Sequence, residues 1–263
     1  MKEGNKLHVT ELRDVSETLL IPLFFRAKET VENGLIQDHA AVDIVNQIQY
    51  DFRKMATDWK TQILIVVRTQ ILDEIVEEYV ASTKNPVIIN LGAGLDTRHL
   101  RFQNVKWYQL DLEKPMSLRT TFFGTEAITI IKSILDFSWI KEIEEKEDVL
   151  IIIEGVLMYL TEVQVRSIFK HLGLNFKRSQ IVFDTIPKSY VKLQKHKSIN
   201  IKRAPLQWGN SALKEIEKWG DGFVTLKSYR YLSKHRRRWK ASALLSIFPA
   251  IYNGFKISRM KIN

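Results

Sequence analysis

The stretch VIINLGAGLDTRHLRF, residues 87–102, decides how the rest of the chain is read. A mainly apolar run, Val87 to Leu91, ends at Gly92, and Gly94 follows one residue later in a chain with only 11 glycines. A glycine pair at the end of a buried strand turns the backbone sharply and lets it approach a ligand closely. Asp96 and Arg98 come directly after, so the turn opens onto charged side chains.

Similar runs recur downstream at 105–111, 127–133, 148–154 and 180–186. Their unbroken apolar character predicts strands covered on both faces, and the spacing leaves room for crossover helices. Thr161 to Leu172 is one such helix, with Thr161 as its N-cap. Residues 187–210 lack a period and are rich in Lys, Ser and Asn, which fits a long functional loop or lid carrying one helix. A helix over Ser211–Trp219 would end at Gly220, and Phe223–Tyr229 and Phe255–Ile262 would be the last strands, joined by a basic helical excursion through His235–Arg238. The expected fold is α/β and Rossmann-like: a mostly parallel seven-stranded sheet with helices on both faces.

Upstream of Lys84-Asn85-Pro86 the chain reads as helical, giving an N-terminal helical cap over 1–84 and a core over 85–263. Leu64, Val67, Ile71, Leu72, Ile75 and Tyr79 recur at helix spacing, and Arg68 falls within their stripe. A guanidinium there needs an anion or a route to water. Snorkelling and an internal ion pair each satisfy that need.

The chain of 263 residues has no cysteine, which excludes disulfides, thiolate-bound zinc and thiol nucleophiles. No secretory signal and no apolar run long enough to span a bilayer is found, so a soluble, cytoplasmic protein is expected. The net charge of +10 is uneven: from Ile186 onward there are 18 Lys and Arg against 3 Asp and Glu. Such a segment suits either a solvated surface or an RNA or anionic-membrane contact.

A dinucleotide fingerprint needs a third glycine where Thr97 stands, and no Walker lysine follows. Asp111, at the tip of the second strand, can accept hydrogen bonds from a ribose diol. An adenosine cofactor without phosphates, S-adenosylmethionine (SAM), fits these residues better than NAD.

The combination NLGAGLDTRHLRF, WYQLDLEKP, ILDFSW and IIIEGVLMYLTEVQV resembles the leucine carboxyl methyltransferase and tetracenomycin-type O-methyltransferase family, a branch of the class I SAM-dependent methyltransferases. IPLFFRAKET, QDHAA and VVRTQILD upstream, and APLQWGNSALKEIEKW near the end, are similar in the same order. The resemblance implies that Gly92 and Gly94 bound the cofactor, Asp111 holds its ribose, Asp136 and Phe137 flank its adenine, and Glu154 sits beside its methionine part. It implies Arg68 as the partner of the SAM carboxylate. Ion pairing of Glu154 with Arg68 or Arg26, helix capping by Asp96, and a salt bridge at Arg26 stay open as structural readings.

The reaction so implied is O-methylation of a small-molecule or polyketide-like acceptor, with a carboxylate foremost, leaving S-adenosylhomocysteine. A carboxylate needs no general base, none of the six histidines sits in a catalytic motif, and His99 is expected to face outward. No catalytic residue and no metal ligand is therefore assigned. Phe24, Phe25, Tyr159, Trp208 and Trp219 are available to line an acceptor pocket. The alternatives are a protein C-terminal carboxyl methyltransferase, an RNA-binding methyltransferase using the basic segment, and an NAD-dependent dehydrogenase.

Overall fold

The computed structural model describes residues 7–8, 16–124, 127–193, 205–209, 213–219 and 222–263. Strands β1 (Leu7–His8) and β2 (Ile48–Gln49) form a short parallel bridge beside helices α1 (Ser16–Val31), α2 (His39–Gln47) and α3 (Arg53–Ala56). Helix α4 (Trp59–Ser82) then leads into the sheet, its N-terminus capped by the Asp58 carboxylate on Thr61 N. The remaining elements are β3 (Val87–Leu91), α5 (Arg98–Arg101), β4 (Lys106–Asp111), α6 (Glu113–Phe123), β5 (Ile128–Ile131), β6 (Leu150–Ile153), α7 (Glu162–Asn175), β7 (Ser179–Thr185), α8 (Lys188–Leu193), α9 (Leu213–Ile216), β8 (Phe223–Arg230), α10 (Pro249–Gly254) and β9 (Lys256–Ile262).

The seven-stranded sheet has the order β5-β4-β3-β6-β7-β9-β8. Strands β5, β4, β3, β6 and β7 pair in parallel, and β9 runs antiparallel between β7 and β8. The expected α/β sheet is therefore present, with each anticipated strand within a few residues of its place. Successive residues of β3 explain its composition: Ile89 and Leu91 join a core with Leu110, Ile151, Phe169 and Phe183, while Ile88 meets α4 on the opposite face. A strand buried on both sides has no polar face to display.

Helix α4 departs from the single apolar stripe expected of it. Ile63, Val67, Ile71, Ile75 and Tyr79 pack on the sheet with Ile88, Leu150, Ile152 and Val182, whereas Ile65 packs on Ile21, Phe25 and Met55. The helix is sandwiched between the sheet and helices α1 and α3, so apolar residues surround it. Tyr79 pins its C-terminal end, its hydroxyl accepting Val87 N–H at 3.1 Å and donating to Asp148 O at 2.8 Å.

Thr161 caps α7 as expected, in a reciprocal capping box with Gln164. The helix expected over Ser211–Trp219 is shorter, Leu213–Ile216, and Ser211 and Gly220 lie outside the described residues. Most of the lid-like segment does too: within it, α8 and residues 205–209 are described, and Gln207 and Trp208 donate backbone N–H groups to Met158 O at 2.8 and 3.2 Å. No helix among the described residues is long and apolar enough to cross a membrane.

Candidate active site

The carboxyl ends of β3, β4, β6 and β7 deliver Gly92, Asp111, Glu154 and Asp184 to one crevice, where strand order reverses on either side of β3. This is where open α/β sheets hold ligands. A cavity of about 510 Å³ opens there, and Leu19, Ile21, Pro22 and Arg26 of α1 and Leu64 and Arg68 of α4 close it from the cap side.

The glycine turn is held from several directions. Gly92 and Gly94 adopt φ of +79° and +47°, a region that penalises other residues. A Cβ on Gly92 would stand 2.3 Å from Val156 Cγ2, and one on Gly94 would stand 2.8 Å from Leu19 Cδ2. The close approach that glycine permits at these two positions is therefore to protein side chains at the cavity floor. Asp111 accepts Gly94 N–H at 2.8 Å and Leu112 N–H at 2.7 Å, and Arg119 reaches Gly94 O and Asp96 O at 3.0 and 2.8 Å. Thr97, where a dinucleotide site would have glycine, donates to Asp38 Oδ2 at 2.6 Å and so ties the turn to the cap. Arg26 pairs with the same Asp38 at 2.8 Å and donates to Leu95 O at 2.8 Å. Its salt bridge, open in the sequence, is thus made.

Beneath the cavity runs a chain of alternating charges. Asp73 meets Arg98 Nε at 2.7 Å, Arg98 NH1 meets Glu154 at 2.6 Å, Glu154 meets Arg68 Nε at 2.7 Å, and Arg68 NH1 meets Asp184 at 3.1 Å. Asp96 pairs with Arg98 at 2.9 Å and also accepts Arg98 N–H at 3.0 Å, so it does secure the start of α5. Burial pushes the Glu154 carboxyl up, but Arg98 and Arg68 together hold it below its ordinary value. At Asp184 burial wins over Arg68, and the carboxyl is raised. Arg68, foreseen as a charge in need of an anion, has two.

Of the other residues singled out in the sequence, Gly92, Gly94, Asp111, Glu154 and Arg68 line the cavity together. Asp136 and Phe137 do not: Asp136 is exposed and accepts Ser138 N–H at 3.1 Å, and Phe137 stacks on His171 with centroids 3.5 Å apart. Lys132, Ser133 and Ile134, just upstream, line that end instead. Tyr159 lines the cavity, whereas Phe24 and Phe25 pack within the cap and Trp208 and Trp219 in the main core around Phe169. Sequence reasoning noted Arg98 after the glycine turn without giving it a role, and passed over Asp184. Asp184 carried a signal, since it is an acid near the end of an apolar strand, as Asp111 and Glu154 are.

His99 corrects an expectation. It is buried, packs edge-on against Phe123 with centroids 4.9 Å apart, and meets Arg119 NH2 at 2.9 Å through Nδ1. Burial, with Arg119 second, lowers its pKa to about 4. The unfolded chain would take up a proton near pH 6.5, so stability is whole above that pH and drains away as pH falls toward 4. The loss reaches about 3 kcal/mol at its largest. Urea unfolding of His99→Gln should show a flatter profile than the parent chain across this window, and parallel profiles would refute the assignment.

Among the lining residues the cations are Arg26, Arg68 and Lys132, and the carboxylates are Asp96, Asp111, Glu154 and Asp184. Each cation is already paired, Lys132 with Glu142 at 2.6 Å. A phosphate would find no unneutralised cation there, while a sulfonium would meet a carboxylate excess. The buried hydroxyl of Tyr231 lines the cavity and has no hydrogen-bond partner among the described residues, which leaves a donor for a ligand oxygen. These residues fit SAM. No group of three or more His, Asp and Glu among the described residues is placed to hold a metal ion.

Comparison with known proteins identifies the family and the fold. The leucine carboxyl methyltransferase family matches residues 20–173. The tetracenomycin polyketide synthesis O-methyltransferase TcmP of Streptomyces glaucescens is 24% identical over 213 residues, covering 78% of this chain and 79% of that protein. The S-adenosyl-L-methionine-dependent methyltransferase dpfgK of Gibberella zeae is 28% identical over 192 residues, covering 65% of this chain and 64% of its relative. Magnesium protoporphyrin IX methyltransferase from Synechocystis, crystallised with SAM, superposes with a TM-score of 0.51 over 88% of this chain and all of its own, at 13% identity, a likeness of fold. The chain belongs to the leucine carboxyl methyltransferase family and is a SAM-dependent methyltransferase.

Proposed function

We propose that the chain methylates an oxygen of a small, largely apolar acceptor, with a carboxylate as the receiving group. The observation that carries this reading is the cavity's makeup: mainly apolar walls over a floor of paired charges with carboxylates in excess. Bound SAM supplies a methyl group already activated on a sulfonium. The protein's task is then to align the acceptor and to exclude water. Among the described residues no histidine lines the cavity, and a carboxylate acceptor, an anion at neutral pH, requires no base. TcmP, an O-methyltransferase of tetracenomycin polyketide synthesis, is a relative that supports methylation at oxygen.

In this proposal Asp111 receives the ribose hydroxyls through the lone pairs that Gly94 N–H and Leu112 N–H leave free. Gly92 and Gly94 form the floor, and Glu154 lies beside the methionine portion. Arg68 offers the cofactor carboxylate a donor, because two carboxylates do not exhaust its five. Residues 1–84 serve as a helical cap that contributes to the site and 85–263 as the SAM-binding core, with the segment around 187–210 as a lid.

Calorimetry with SAM, S-adenosylhomocysteine and NAD tests the cofactor roles. Asp111→Asn should weaken S-adenosylhomocysteine binding by about 10- to 100-fold, the range for a hydrogen bond to a charged group. Unchanged affinity would remove Asp111 from the site. Methylation of carboxylic acids but not of matched phenols by labelled SAM would support the acceptor class, and the reverse preference would replace it with a hydroxyl.

A further inference from the structure

The basic C-terminal segment is not used by this function. Between β8 and β9 the chain makes an excursion closed at its neck by Tyr231 N–H to Phe255 O at 3.0 Å. Both neck residues line the cavity. The inner side of the excursion is clamped: Lys234 pairs with Glu74 at 2.5 Å, His235 meets Gln70 at 2.7 Å, Arg238 pairs with Glu29, and buried Trp239 donates to Lys234 O at 3.0 Å.

The outer side is different. Leu244, Leu245, Ile247 and Phe248 are 68%, 41%, 69% and 54% exposed. Four large apolar side chains within five residues form a ridge rather than scattered surface residues. Close in sequence, Arg236 and Arg237 are exposed and make no ion pair among the described residues. Exposed apolar side chains and unpaired guanidiniums on the same excursion match the two layers of an anionic bilayer surface, acyl boundary and phosphate headgroups.

We infer that the ridge Leu244–Phe248, flanked by Arg236 and Arg237, docks this protein on the surface of an anionic membrane. Charge and apolar content together select this occupant: two unpaired arginines favour an anionic surface over a second copy of the same basic segment, and RNA would leave the aliphatic side chains of Leu244, Leu245 and Ile247 in water. Docking at the excursion holds its neck, and so one wall of the cavity, near the headgroups. An apolar molecule dissolved in the bilayer would then be close at hand.

Vesicle co-sedimentation of the full chain tests the inference. Binding is expected to vesicles of phosphatidylcholine mixed with phosphatidylglycerol, to fall with added salt, and to be weak on phosphatidylcholine alone. The pair Leu244→Ser and Phe248→Ser should lower partitioning by about tenfold or more. The pair Arg236→Glu and Arg237→Glu should do the same. All four residues are exposed, so the unfolding midpoint should stay put and report that the variants fold. Partitioning unchanged in either pair, or no binding to the mixed vesicles, would overturn the inference. So would sedimentation showing a dimer that the apolar pair dissolves, or RNA binding that the arginine pair abolishes while vesicles are ignored.

Discussion

Arg98→Leu is expected to destabilise the fold by about 3–5 kcal/mol, the cost of stranding buried charges whose partner is gone. Arg98 is 1% exposed and touches Asp73, Asp96 and Glu154, so three carboxylates lose a cation at once. Urea unfolding measures the loss. A second substitution should recover part of it: Glu154→Gln in the Arg98→Leu background removes one uncompensated charge, and the pair should be less damaging than the sum of the singles. Additive losses, or a loss below about 1 kcal/mol for Arg98→Leu, the level of a solvated surface pair, would mean that the chain of charges is not acting as a unit.

Gly92→Ala should cost about 2–4 kcal/mol, combining a positive φ with overpacking. The new Cβ would fall 2.3 Å from Val156 Cγ2, which must move, and Val156 lines the same cavity as Gly92. In a Val156→Ala background the steric part should vanish and leave the backbone part, about 1–2 kcal/mol. If Val156→Ala gives no relief, the glycine is required for its conformation alone. Thermal unfolding of the four variants of this cycle decides between the two.

The architecture was legible because periodicity reports it. Strands buried on both faces read as unbroken apolar runs, and β3 fell on its anticipated residues, Val87 to Leu91. The Thr161 cap was equally plain, since a hydroxyl three residues before glutamine has one common use. Periodicity cannot say who pairs with whom across the chain. Arg68 was recognisable as a charge in need of an anion, and Glu154 was among the partners left open for it, but Asp184, 116 residues away, is joined to it only by the fold. His99 was expected to face outward from the start of its helix, yet α6 brings Arg119 and Phe123 onto it. The glycines announced a tight turn correctly, although nothing local revealed that Val156 and Leu19 are what they make room for.

The row of alternating charges from Asp73 through Arg98, Glu154 and Arg68 to Asp184 also bears on how such a chain can drift. Losing any one member strands its neighbours, so single replacements pass through a poorly folded intermediate while concerted ones need not. Descendant sequences should therefore inherit the row whole or exchange it as a block.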